Sequence, residues 1–211
     1  MSVRAAAVGA ASAGALWFAV AAEAAPTVVA GYELEPASSS LTFTAIQQGA
    51  TFESRFDRFT ARVRFDPAQP ESGSISSRID LGSVDTGNPE RDEVLKGADW
   101  FSLGRWPEAV FTAGRIDRDG NGYRASGTLT LRDVTAPVTL RFRWTPASPS
   151  QAARLQGSAT LERLAFGVGQ GDWQDTAYVG NRVDVQVDIR LRQIPFSDKL
   201  VSIGANPQDA R

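Results

Sequence analysis

Residues 183–191 alternate apolar and polar side chains without a break. Val183, Val185, Val187, Ile189 and Leu191 stand against Asp184, Gln186, Asp188 and Arg190. A period of two is the mark of a strand with one buried face. Leu41, Phe43 and Ala45 repeat it against Thr42 and Thr44, as do Ile75, Ser77, Ile79 and Leu81, and Leu155, Gly157, Ala159 and Leu161. Further strands are expected over Val110 to Ile116, Tyr123 to Leu131 and Val138 to Trp144. Phe52 and Phe56 share one phase, whereas Phe59, Ala61, Val63 and Phe65 lie in the other. That switch predicts a bulge near Asp57-Arg58. Turns are expected at Asp117 to Gly122, Asp133 to Pro137 and Ser148 to Ser150.

One helix interrupts the strands, over about 88–97. Asn88 suits an N-cap, Pro89 the first helical position and Glu90 the positive end of the dipole. Gly97 can end the helix in a left-handed conformation. Trp100, Phe101, Leu103 and Trp106 follow, an aromatic density that suggests a lid on a barrel end. Many strands with one apolar face each fit an all-β fold, a closed barrel or a two-sheet sandwich. In a closed antiparallel barrel the apolar faces converge on the interior. Phe43 and Phe56, then Leu129 and Leu131, then Val138, Leu140 and Phe142, and finally Val185 and Val187 would line it. Trp100, Trp106 and Phe111 would close one end.

Composition narrows the chemistry. With no cysteine and no histidine among 211 residues, Cys/His zinc sites, axial haem ligation, a Ser-His-Asp triad and disulfides are excluded. The net charge of −2 provides no basic field for nucleic acid. Lys96 and Lys199 are the only lysines. Arg4 is the only charge among the first 22 residues, an apolar run follows, and Ala22-Glu23-Ala24 fits signal cleavage. Residues 1–24 therefore read as a signal peptide removed at Ala24/Ala25, with an uncleaved anchor as the alternative. Residues 25–192 form the barrel and 193–211 a C-terminal tail.

Three motifs invite sharper readings. Asp117-x-Asp119-x-Asn121-Gly122 begins like a calcium loop but has Thr128 where a bidentate acid belongs, so a hairpin turn is expected and no metal site. Gly167-Val168-Gly169-Gln170-Gly171 lacks the Lys-Ser/Thr of a phosphate loop and reads as a flexible or tightly packed connection. Glu90-Arg91-Asp92-Glu93 is a solvated or capping charge run, or else half of a paired-carboxylate site.

Asn88-Pro89-Glu90-Arg91-Asp92-Glu93-Val94-Leu95-Lys96, followed by Asp99-Trp100-Phe101 and Trp106-Pro107, resembles the YceI-like family of lipocalin-like periplasmic proteins. Gly127 to Val138, Phe166 to Gly169 and the Val183 to Leu191 strand resemble it further, over roughly residues 31–192. The resemblance implies an extended barrel around an apolar tunnel, a polyisoprenoid or similar amphiphile as ligand, no cofactor and no catalysis. Where family members often carry histidine, this chain has Val94 and Gln47-Gln48. The stretches Gln47 to Ala50 and Gly169 to Trp173 resemble a subgroup fused to, or encoded beside, b561-type membrane cytochromes. That subgroup implies a quinone ligand and a membrane redox partner; a homodimer is a further expected assembly. The expected function is thus a periplasmic carrier or sensor. The alternatives are a carboxylate-dependent enzyme acting on a hydrophobic substrate and a structural domain with a filled core.

Overall fold

The computed structural model describes residues 29–194. The expected signal peptide, residues 1–24, and residues 195–211 of the expected tail lie outside the described residues. In chain order the strands are β1 (Gly31–Leu34), β2 (Ser40–Gln47), β3 (Ala50–Phe56), β4 (Phe59–Arg64), β5 (Ser74–Asp80), β6 (Val84–Asp85), β7 (Glu108–Asp119), β8 (Gly122–Leu131), β9 (Val134–Thr145), β10 (Ala153–Glu162) and β11 (Arg182–Ile194). One helix, α1 (Pro89–Lys96), precedes β7. All strand pairings are antiparallel, and β11 pairs with both β2 and β1, which closes the sheet on itself.

The first six segments are three long strands, each broken once, so the ring is an eight-stranded barrel. The breaks fall at residues 35–39, 57–58 and 81–83. They lie side by side. Asp57 N–H donates to the Ser83 carbonyl at 3.1 Å and Asp80 N–H to the Arg58 carbonyl at 3.0 Å. The break at 57–58 is where the apolar phase of the sequence switches. Bending there lets Phe56 and Ala61 both face inward, although an unbroken strand would send them to opposite faces. A second irregularity, between Thr112 and Arg115 in β7, goes with another phase switch, from Ala109, Phe111 and Ala113 to Ile116, all of them buried.

Helix α1 begins as its sequence dictates. The Asn88 side chain accepts from the backbone N–H of Glu90 and of Arg91 at 3.0 and 3.1 Å. Gly97 ends it, but with φ −66° and not in the left-handed region; Ser102 takes that conformation instead, at φ 52°. The left-handed stop is unneeded because the chain continues directly into the Trp100–Phe101 segment, with Phe101 N–H donating to the Leu95 carbonyl at 2.9 Å. Pro137, expected in a turn, sits inside β9; the β8–β9 turn is Arg132-Asp133, with Arg132 at φ 58°. The terminal strand runs on through Gln193 and Ile194, which pair with Tyr32 and Gly31.

The core is graded along the barrel axis. At the end carrying the β7–β8 and β9–β10 turns the most deeply buried side chains collect, including Phe65, Ile116, Leu155 and Leu191. The Phe65 ring lies 4.7 Å from Tyr123, 5.1 Å from Trp144 and 5.6 Å from Phe142, mostly edge to face. Aromatic edges set against ring faces add to the burial itself. This cluster stops that end of the barrel. Phe65→Ala should cost about 3–5 kcal/mol of unfolding free energy, read from urea denaturation, because a rigid plug cannot collapse into the hole. A cost below about 1 kcal/mol would show that the plug is not a packed unit.

Candidate functional site

Toward the opposite end the barrel is hollow. Its apolar cavity is about 430 Å³. Eight strands enclose an interior that side chains either fill or leave open for one ligand. Here residue size decides: past the plug the inward positions of β10 and β11 are Ala159, Leu161, Val183, Val185 and Val187. These side chains point inward yet remain half-buried, because the space they face is empty. Leu129 and Leu131 of β8 and Leu140 of β9 complete that wall. On the other side, Phe43 stacks at 5.3 Å on Phe56, which lies 6.1 Å from Phe101.

A roof covers part of the open end. Leu95 of α1, then Trp100 and Phe101, and then Phe166, Val168 and Trp173 from the chain between β10 and β11 all reach the cavity. The mouth lies between α1 and the β2–β3 hairpin. There the wall includes the exposed Asn88, Glu90 and Val94, together with Gln47, and the Arg91 guanidinium covers the Phe52 ring at 4.3 Å. Gln47 and Val94 are thus both at the mouth. The β2–β3 turn, with Gln48 at φ 51° and Gly49 at φ 77°, is bound to the residue 178–180 loop. Gln48 N–H donates to the Tyr178 carbonyl and Gly180 N–H to the Ile46 carbonyl, each at 2.8 Å. Glu90 is the only acid among the described residues of the wall, so the wall forms no pair of carboxylates. Asp92, its neighbour in the charge run, accepts instead from the Thr86 N–H and hydroxyl, at 2.9 and 2.7 Å.

The roof is organised by Arg163, which is buried and touches the cavity. A guanidinium has five N–H donors. Here every one goes to a backbone carbonyl. Nε donates to Gly180, one terminal nitrogen to Val168 and Gly169, and the other to Trp173 and Val179, all between 2.6 and 3.2 Å. Burial pulls its pKa below the ordinary guanidinium value, yet it stays a cation at neutral pH. The Trp100 ring lies 5.6 Å from it. Gly169, at φ 81°, has no room for a side chain: a Cβ there would stand 2.0 Å from an Arg163 nitrogen. The glycine-rich stretch is a tightly packed connection wrapped around this cation.

The structure places Phe43, Phe56, Trp100, Phe111, Leu129, Leu131, Val138, Leu140, Val185 and Val187 on the cavity wall. Two expected lining residues lie elsewhere. Phe142 faces inward, but below the cavity floor, in the plug with Phe65 and Tyr123. Alternation reveals which face a residue takes and not its height along the axis. Trp106 is half-buried outside the cavity, with the Arg105 and Arg132 guanidinium groups 4.3 and 5.0 Å from its ring. Sequence reasoning missed Arg163 and Trp173. The one available signal was an arginine directly following the apolar Leu161 phase and preceding a run of glycines.

Residues 32–191 match the model of the YceI-like domain. The chain belongs to the YceI-like family. Among curated relatives, a UPF0312 protein of Yersinia enterocolitica is 36% identical over 90 residues, 43% of this chain and 47% of that protein. One from Pseudomonas paraeruginosa is 32% identical over 118 residues, 54% and 62% of the two chains. These alignments therefore span less than two thirds of the relatives' length. Among solved structures, Burkholderia cenocepacia BcnA aligns with a TM-score of 0.70 at 30% identity, over 75% of this chain and 99% of that one. A polyisoprenoid-binding domain from Saccharophagus degradans, implicated in plant cell wall breakdown, shares the fold with a TM-score of 0.59 at 17% identity, over 77% and 98%. In this YceI-like barrel Gly169→Ala should cost about 2 kcal/mol or more, from the left-handed backbone and the collision with Arg163. Urea unfolding measures it. A neutral result would mean that the roof does not close on the guanidinium.

Proposed function

We propose that this protein is a non-catalytic periplasmic binding protein that holds a long isoprenoid or similar amphiphile in its barrel, as carrier or sensor. The observation that carries the reading is the hollow half of the barrel. Its inward valines and leucines face open space, while the other half is stopped by packed aromatics. An empty apolar cavity is a standing loss of packing and hydrophobic free energy, and an apolar chain recovers both. Each buried methylene contributes about 0.8 kcal/mol, so binding needs little polar help. The polyisoprenoid-binding description of the Saccharophagus degradans domain points in the same direction.

Finer features of the proposal rest on sequence likeness. A quinone is the favoured head group. A b561-type membrane cytochrome is the favoured partner, since both stretches resembling that subgroup border the cavity or its mouth. A second copy of the chain is the proposed assembly. Export rests on the N-terminal apolar run. N-terminal sequencing of the protein from its host should begin near Ala25; retention of residues 1–24 would overturn that part.

Organic extraction of the purified native protein, followed by mass spectrometry, should release a prenyl-chain or fatty amphiphile. Leu131→Arg should stay folded and lose at least about nine tenths of the extracted material, because a hollow that admits water can hydrate a charge. Phe142→Arg places the same charge in the plug and should cost about 3–5 kcal/mol of stability. Native protein that yields no amphiphile and binds none would overturn the proposal. So would Leu131→Arg that folds and retains its full load.

A further inference from the structure

The barrel wall is not continuous. β9 and β10 pair from Thr145↔Arg154 to Arg141↔Ser158, and there the pairing stops. Beyond that point β9 remains paired with β8 as far as Val134, and β10 with β11 as far as Glu162. Each strand keeps its other neighbour while the two part from one another. Pro137 lies in the parted stretch and has no N–H to offer a neighbouring strand. The backbone groups facing the gap have no strand partner and are left to water.

On the outside the gap is a groove of about 280 Å³, bordered by Pro137, Thr139, Ser158 and Thr160. Val138 and Ala159 line this groove and the central cavity alike. The wall at this level is therefore one small side chain and one medium one. The inward residues on the adjoining strands, Leu161, Val183, Val185 and Val187, are half-buried. Those across the barrel, Ile75, Ile79 and Ala109, are buried. The inward residues beside the gap are thus among those left incompletely packed. The gap has a fixed frame. Its lower edge is the last β9–β10 pair. At its upper edge Arg132, in the β8–β9 turn, donates from one terminal nitrogen to the Trp100 and Gly167 carbonyls, both at 2.6 Å. The turn is thereby tied to the roof and not to β10.

We propose that this framed gap is a side window of the cavity, through which the apolar chain of the ligand enters and leaves while the roof stays in place. The inference rests on the ligand-binding reading above and adds a route to it. Passage through the roof would break the five hydrogen bonds of Arg163, and passage at the mouth would take the apolar chain past the exposed Glu90 and displace the Arg91 guanidinium from the Phe52 ring. Passage through the window requires only that Val138 change rotamer and the strand at Ala159 give way slightly, at no loss of β9–β10 pairs.

The protein contains no cysteine, so introduced thiols are unique. Thr139→Cys/Thr160→Cys, bridged across the window by a cleavable bifunctional thiol reagent, tests the route. The probe is cis-parinaric acid, whose fluorescence rises in an apolar site, followed by stopped flow for uptake and for release into excess lipid vesicles. The bridge should slow both rates by about tenfold or more, and its cleavage should restore them. Ala159→Trp, which fills the window without any cross-link, should slow them likewise and decides the matter if the bridge does not form. Rates unchanged by the bridge, or by the tryptophan where no bridge forms, would overturn the window and leave the binding reading intact. Failure of the unmodified protein to take up cis-parinaric acid at all would overturn both.

Discussion

A buried guanidinium without a carboxylate partner has to be satisfied by something, and in this barrel the backbone does it. Arg163 spends its five donors on carbonyls of residues 168–180, and that obligation folds an otherwise irregular segment into a roof. The cost of removing the charge from water is met by dipoles that themselves need donors, so neither partner is stable alone. Much of the open end follows from this. Gly169 must be glycine, Val168 and Trp173 are turned toward the hollow, and Val179 and Gly180 are held where the β2–β3 hairpin can bind beside them. The roof is attached to the Trp100 segment as well, since the N–H groups of Gly169 and Gln170 both donate to the Asp99 carbonyl, at 2.7 and 2.8 Å.

The sequence disclosed the strands because alternation is a local property. From Val183 to Leu191 every second residue is apolar, and no tertiary contact is needed to see it. The Asn88 cap was equally legible, because its partners are the next two backbone amides but one. Long-range geometry was not. Phe142 and Leu140 share a face and a strand, yet one belongs to a solid plug and the other to a cavity wall, and only the barrel's axis separates them. Pro137 resembled a turn residue because proline rarely continues a strand; it does so here where the neighbouring strand has departed. Arg163 carried the weakest signal of all. Its partners are backbone carbonyls, which every sequence possesses and none displays.

The division of the core into a solid half and a hollow half distributes stability unevenly. Fully buried side chains and interlocked rings concentrate at the plug, where a missing methylene leaves a void that its neighbours cannot fill. The hollow half relies on strand hydrogen bonds, the roof and the Arg91–Phe52 contact at the rim. Substitutions of equal chemical severity therefore weigh differently according to height: the fold depends on the side chains around Phe65 more than on those around Leu131. Such a division lets the ligand site vary in sequence without endangering the scaffold.

The three strand breaks at 35–39, 57–58 and 81–83 have a mechanical meaning. Because they lie side by side, they form a line of low stiffness across one wall, with ladder hydrogen bonds above and below it. Bending concentrates on that line, so β3 and β6 can tilt about β2, which the unbroken β11 holds through Ser40–Thr44. The girth of the mouth thereby becomes a soft coordinate and the plug a rigid one. Compliance is thereby concentrated in one wall of the barrel and withheld from the packed end.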